Sequence, residues 1–337
     1  MKKSDAALAF ALAATIVAVG CGLPPQGQVE VATQDAGPMP WAYPLAPAGG
    51  AAAGGAAAPA PTDQPRTLPG SDRTFTLAQV RNGFDVADWR PDLHPAMPPI
   101  VAQGRSPDVR GCGFCHMPNG HGRPENSSLA GQPVAYIIQQ MADFKNDLRV
   151  SSEPRMGPPR AMVALAKATT DAESRAAAEY FASFPYRQWI RVVETNTVPV
   201  SIVSGGMYVP VSGGGSEPIG QRILEMPEDV GRTELRDPAS GFVAYVPQGS
   251  LARGRELVTT GGGKTMQCAL CHGPALEGQG ATPALAGRSP SYSARQLYDF
   301  QSGARKGPGS GMMAGVVAGL TVDDIIAIVA YTASLEP

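Results

Sequence analysis

The chain has 337 residues, about two domains' worth. Hydrophobic residues make up 43%, which excludes a wholly disordered protein, and 17% charge with a formal net charge of −2 leaves no polybasic footprint for nucleic acid. The 40 Gly and 33 Pro follow no Gly-X-Y period, so a low-complexity segment is expected beside folded parts.

Residues 1–20 read as an export signal. Lys2 and Lys3 precede an apolar run, Ala6 to Val19, that is shorter than the roughly 20 residues a bilayer span needs. The run ends in Ala18-Val19-Gly20-Cys21, small residues before a Cys, which resembles the lipobox of bacterial lipoproteins. That resemblance implies lipidation at Cys21 and a periplasmic protein anchored to a membrane, although Ala18 stands where Leu is usual. The alternative is an ordinary secretory signal that leaves Cys21 as a spare thiol. Residues 21–70 are expected to form a disordered tether: residues 22–70 hold 10 Pro, 8 Gly and 12 Ala against four charges, with no apolar periodicity.

A Pro-rich lead-in, interrupted by Pro91, Pro95, Pro98, Pro99 and Pro107, brings the chain to Cys112-Gly113-Phe114-Cys115-His116. The same C-x-x-C-H pattern returns at Cys268-Ala269-Leu270-Cys271-His272. This is the attachment pattern for c-type haem. Two thiols on one turn add to the vinyl groups of a haem, and the adjacent imidazole reaches the iron from the same side. Chance would supply on the order of 0.001 copies in such a chain, so two copies decide the matter. A zinc ribbon would want its Cys pairs about 15–20 residues apart; here they are 156 apart.

The motifs sit in an internal repeat. Leu129-Ala130-Gly131-Gln132 recurs as Leu285-Ala286-Gly287-Arg288, and Gln140 to Phe144 recurs as Gln296 to Phe300, both at an offset of 156. Tyr180 then matches Tyr331 at 151. Each copy is expected to be helical. Pro133 opens a helix over 134–148, Ser293 caps one over 294–302, and Thr170 with Glu173 and Thr321 with Asp324 mark two further starts. Leu251 to Val258 forms an opening helix in the second copy, with Gly254 where another helix could cross closely; the first copy shows no equally clear one. Between the copies, 198–203 and 206–211 read as extended, and 233–236 with 241–246 as a hairpin about 237–240.

A small helical unit with its haem motif near the start and a Met late in the chain resembles the class I cytochromes c. Two such units in tandem, each with Leu-Ala-Gly after the motif, resemble the dihaem cytochrome c-four family over about 111–185 and 251–335. The expected fold is therefore mainly α: a first cytochrome c domain with its lead-in (71–189), a small β-rich insert (190–249) and a second cytochrome c domain (250–337). The resemblance implies two covalent haem c groups on Cys112, Cys115, Cys268 and Cys271, with His116 and His272 on one face of each iron and Met on the other. Counting back 18 residues from the matched tyrosines selects Met162 and Met313, with Met156 the competing choice in the first copy. His94 and His121 are expected in solvated loops, the alternative being that one of them ligates an iron in a bis-His site. The implied function is one-electron transfer between membrane-associated redox proteins. The alternatives are a haem enzyme of peroxidase or dehydrogenase type, a gas sensor, or the cytochrome subunit of a larger oxidoreductase. No acid–base constellation stands beside either motif, which favours the carrier.

Overall fold

The computed structural model describes residues 37–45 and 63–337. The signal, Cys21 and most of the expected tether lie outside the described residues.

The lead-in folds as short pieces. Strands β1 (Arg66–Thr67) and β2 (Thr74–Phe75) pair antiparallel, and helix α1 (Leu77–Val80) starts at a capping box between Thr76 and Gln79. Helix α2 (Pro99–Ala102) follows, with Pro at its first position, and then the paired strands β3 (Gly104–Arg105) and β4 (Val109–Arg110). Ile100 and Val101 of α2 join the first-copy core with Tyr180 and Phe181. This single turn occupies the place where the sequence showed no opening helix.

The first copy continues with α3 (Cys112–His116), α4 (Val134–Lys145), α5 (Gly157–Ala168) and α6 (Asp171–Ala182). In the middle segment come β5 (Ile190–Thr195), β6 (Thr197–Pro199), β7 (Ser201–Ser204), β8 (Met207–Pro210), β9 (Ser216–Pro218), β10 (Leu224–Pro227), α7 (Val230–Glu234) and β11 (Phe242–Pro247). The second copy is α8 (Ser250–Thr260), α9 (Ala269–His272), α10 (Pro290–Gln301), α11 (Ser310–Val317) and α12 (Val322–Ser334). Ser289, not Ser293, caps α10, accepting from the Tyr292 amide; the proline that follows Ser289 sets the start four residues earlier than expected.

Equivalent backbone hydrogen bonds confirm the register of the repeat. Gly122 N–H donates to His116 O and Gly278 N–H to His272 O, both at 2.8 Å; Gly131 N–H donates to Phe181 O and Gly287 N–H to Thr332 O at 3.0 and 2.9 Å. Left-handed residues recur in step as well: Met117 with Gly273, Gly120 with Leu276, and Asp147 with Gly303.

The copies face each other through these same repeated positions. Gln132 donates to Ala284 O (3.1 Å), and Arg288, its counterpart, donates to Ser128 O (3.0 Å) and Ala130 O (2.9 Å). Val150 N–H donates to Ala304 O and Lys306 N–H to Leu148 O. Arg149 and Arg305 lie between, each donating to both Gln140 and Gln296. The two halves are related by a local pseudo-twofold.

In the middle segment β11 lies between β10 (antiparallel) and β5 (parallel). Residues 198–203 and 206–211 are extended almost throughout, with β7 and β8 forming a hairpin about Gly205–Gly206, both at positive φ. The hairpin expected over 233–246 is corrected. Asp229 caps α7 by accepting from the Arg232 amide, so 233–234 are helical. The Phe242–Pro247 strand, buried along most of its length, takes the centre of a sheet instead of an edge.

The tether reading is also corrected, for its described part. Met39, Trp41, Ala42 and Tyr43 are buried in the core of the second copy, and Arg295 donates to Ala42 O at 2.7 Å. Trp41 and Tyr43 are the two aromatic residues of 22–70, and their apolar area is what the Pro, Gly and Ala around them lack. Leu68, further along, packs with Val80, Ala87 and Trp89.

Candidate haem sites

Each motif occupies a short helix that stops at the residue after its histidine, Met117 at φ 64° and Gly273 at φ 86°. Cys112 and Cys115 are therefore one turn apart, as are Cys268 and Cys271, and none of the four is in a disulfide. Burial pushes the Cys112 thiol up to about 12 and the Cys268 thiol up to about 11.

The two histidines are held alike. His116 and His272 are buried, and each Nδ1 donates to a carbonyl: Ser127 O at 2.9 Å and Pro283 O at 2.7 Å, equivalent positions of the repeat. A carbonyl can only accept, so Nδ1 carries the proton and Nε2 keeps its lone pair for a metal. Burial lowers the pKa of both rings and keeps them neutral, the state that ligates. Among the described residues no group of three or more His, Cys, Asp and Glu forms an all-protein metal cage. What each site offers is two thiols and one imidazole, which fits a haem iron.

A second observation fits the same group. Arg149, Arg288, Arg295 and Arg305 are buried, and none has a carboxylate within salt-bridge distance among the described residues. They donate to carbonyls, Gln and Tyr instead, and Arg288 Nε is unpaired. Buried cations want anions, and a haem brings propionates. Arg149 and Arg305 were within reach of the sequence, being identical at the repeat offset.

Met162 lies on α5 and Met313 on α11, both half-buried, at matching positions before the capped helices α6 and α12. Met312 is 75% exposed. Met156 is buried at the start of α5, in the same core as Met39 and Trp41, against which Met313 also packs. Met97 is a thioether the repeat register did not bring forward; its Sδ would lie 3.5 Å from a Cβ on Gly113.

The expectation of solvated histidines fails for both. His94 Nε2 pairs with Asp88 (3.1 Å), and its Nδ1 contacts Pro95 O (2.8 Å) and Tyr180 Oη (2.9 Å). His121 stacks on Trp189 and bonds through Asn119. Both nitrogens of His94 are engaged, which leaves it no lone pair for iron.

The Cytochrome c family model matches residues 251–336. Cytochrome c-554(547) of Halothiobacillus neapolitanus is 38% identical over 85 residues, which cover 22% of this chain and 93% of that protein. The chain belongs to the cytochrome c family. Cytochrome c4 of Azotobacter vinelandii is 28% identical to this cytochrome over 243 residues, 67% of this chain and 84% of its own. The solved structure of reduced recombinant cytochrome c4 from Pseudomonas stutzeri superposes with a TM-score of 0.44 at 23% identity, over 67% of this cytochrome and 93% of that chain.

Proposed function

We propose that this cytochrome is a periplasmic dihaem one-electron carrier between redox proteins, tethered to a membrane through Cys21. Cys112 and Cys115 hold one haem c covalently, and Cys268 and Cys271 the other. His116 with Met162, and His272 with Met313, would ligate the two irons. The observation that carries the reading is the duplicated histidine geometry, with Nδ1 donating to a carbonyl at the same repeat position in both copies.

A bound haem supplies a one-electron iron couple, and methionine ligation tends to raise its potential. The chain supplies the rest. His116 and His272 are fixed in ring orientation and made more basic by their carbonyl partners. The surrounding Ile, Val, Phe and Tyr exclude water, and the buried arginines offset the propionate charge. His94 and His121, locked in hydrogen bonds of their own, leave the distal position to a thioether.

The experiment is a haem count followed by a ligand test. Purified protein should give a pyridine haemochrome ratio of two per chain and show the long-wavelength methionine-to-iron band of the ferric state. Met162→Ala and Met313→Ala should each remove half the band and open one ferrous haem to carbon monoxide. Met156→Leu and Met312→Leu should leave both signals alone. Carbon monoxide binding to the unmodified protein would overturn the carrier in favour of an open, catalytic or sensing, haem. The anchor has its own test: Cys21→Ala should move the protein to the soluble periplasmic fraction with its haem content intact.

A further inference from the structure

The two motifs are alike in backbone and unlike in cover. Over the first lies the loop after α7. Leu235 O accepts from Trp89 Nε1 (2.7 Å), Pro238 O accepts from Asn119 Nδ2 (2.9 Å), and Arg236 Nη2 donates to Phe114 O inside the C-x-x-C-H turn. The guanidinium carbon of Arg236 is 4.4 Å above the Phe114 ring, and its Nη2 is 4.0 Å from Met117 Sδ. Arg236 takes a left-handed backbone, φ 57°, a conformation that a non-glycine residue holds only where the surroundings demand it. Among the described residues nothing comparable lies over the second motif. Leu270, the counterpart of Phe114, is 63% exposed, and Cys271 is exposed where Cys115 is half-buried.

The charges differ as well. At the first motif Arg123 is paired with Glu125 (3.2 Å), and Arg110 is exposed, while Arg236 has no carboxylate within salt-bridge distance among the described residues. Burial and the nearby Arg123 pull Arg236 down to about 10, which leaves it protonated at neutral pH. At the second motif Lys264 and Arg253 are both paired with Asp324, and Glu277 is exposed. Of the two C-x-x-C-H turns, the first therefore carries a fixed, partly desolvated arginine against its backbone, and the second, among the described residues, carries none.

We propose that Arg236, supplied by the middle segment, raises the reduction potential of the first haem above that of the second. The inference rests on the dihaem reading above. Ferric haem carries one more positive charge than ferrous, so an uncompensated cation nearby disfavours the oxidised state, and the lower dielectric under the loop strengthens the effect. A molecule given one electron by a donor holds it in the first half. The bare rim about Leu270 marks the second half as the side from which that electron arrives.

The test is a spectroelectrochemical titration of the intact holoprotein, its two haems verified first. The unmodified chain should titrate in two one-electron waves. Arg236→Gln, which keeps a donor for Phe114 O and removes the charge, should lower the upper wave and leave the other in place; Arg236→Lys should restore it. Cys268→Ala with Cys271→Ala leaves the first haem alone, and its single wave should show the Arg236→Gln shift directly. The proposal is overturned if neither wave moves, if both move together, or if Lys shifts the wave as far as Gln. Should Arg236→Gln fail to retain both haems, the unmodified protein still decides. Raising ionic strength from about 0.01 to 1 M shortens the screening length from about 30 to 3 Å; a sheltered charge keeps the waves apart, and waves that merge exclude it. A chain with fewer than two haems gives no pair of waves, which is the separate failure of the dihaem reading.

Discussion

At the scale of single residues, Gly254 is where the second copy is least tolerant. A Cβ there would press into the carbonyl oxygen of Ala327 and stand 2.6 Å from Tyr331 Cβ, so α8 and α12 cross with backbone nearly touching backbone. Gly254→Ala should force the helices apart at about 1–3 kcal/mol, seen as a lowered thermal midpoint with the second haem's spectrum perturbed before the first's. His121 sets an acid limit. Burial pulls its pKa down to about 4, against an unfolded value near 6.5. Its contribution is complete above about 6.5 and is lost as pH falls toward 4, because the unfolded chain takes up the proton first. His121→Gln should therefore flatten the decline of the melting temperature between those limits, a difference of at most about 3 kcal/mol. His121 was visible in the sequence, but its stacking on Trp189, 68 residues away, was not.

At the scale of elements, the capped helices are the parts that local chemistry specifies most fully. Thr170 with Glu173 and Thr321 with Asp324 form complete capping boxes at α6 and α12, as their spacing predicts. Asp324 does more than its spacing suggests: it is fully buried and accepts from Arg253 (2.5 Å) and Lys264 (2.7 Å) as well as from Thr321. Asp324→Ala removes the cap and two ion pairs whose cations, 48% and 40% exposed, remain solvated, so a loss of about 1–2 kcal/mol in denaturant unfolding is expected. Thr170→Ala, at an exposed cap, should cost about 1 kcal/mol. The 233–246 stretch shows where local reading stops. Its turn residues are compatible with a hairpin, but Asp229 caps a helix first and Phe242 to Val246 find two better strands, one of them about 50 residues back in the chain.

At the scale of the molecule, residues 39–43 pack onto the second copy and reach the first. Tyr43 reaches Ser152 of the first copy (2.7 Å) while Arg295 of the second holds Ala42 O. Of two chains shortened to start at residue 37 and at residue 46, the second should melt several degrees lower, since it uncovers the core that Met39 and Trp41 cover and leaves Arg295 short of an acceptor. Local sequence alone determined the haem motifs, the duplication and its register, and the capped helices, because thiol spacing, repeat offset and capping are properties of neighbouring residues. Tertiary structure alone decided that Trp41 and Tyr43 belong to the core, that His94 and His121 are held by hydrogen bonds and ring contacts, and that Gln132, Arg149, Arg288 and Arg305 join the halves. It also decided that Arg236 covers the first motif, while Leu270 of the second is exposed among the described residues. Those outcomes depend on contacts between residues 50 to 250 positions apart, whose burial and charge compensation exist only once the two copies and the segment between them have packed together.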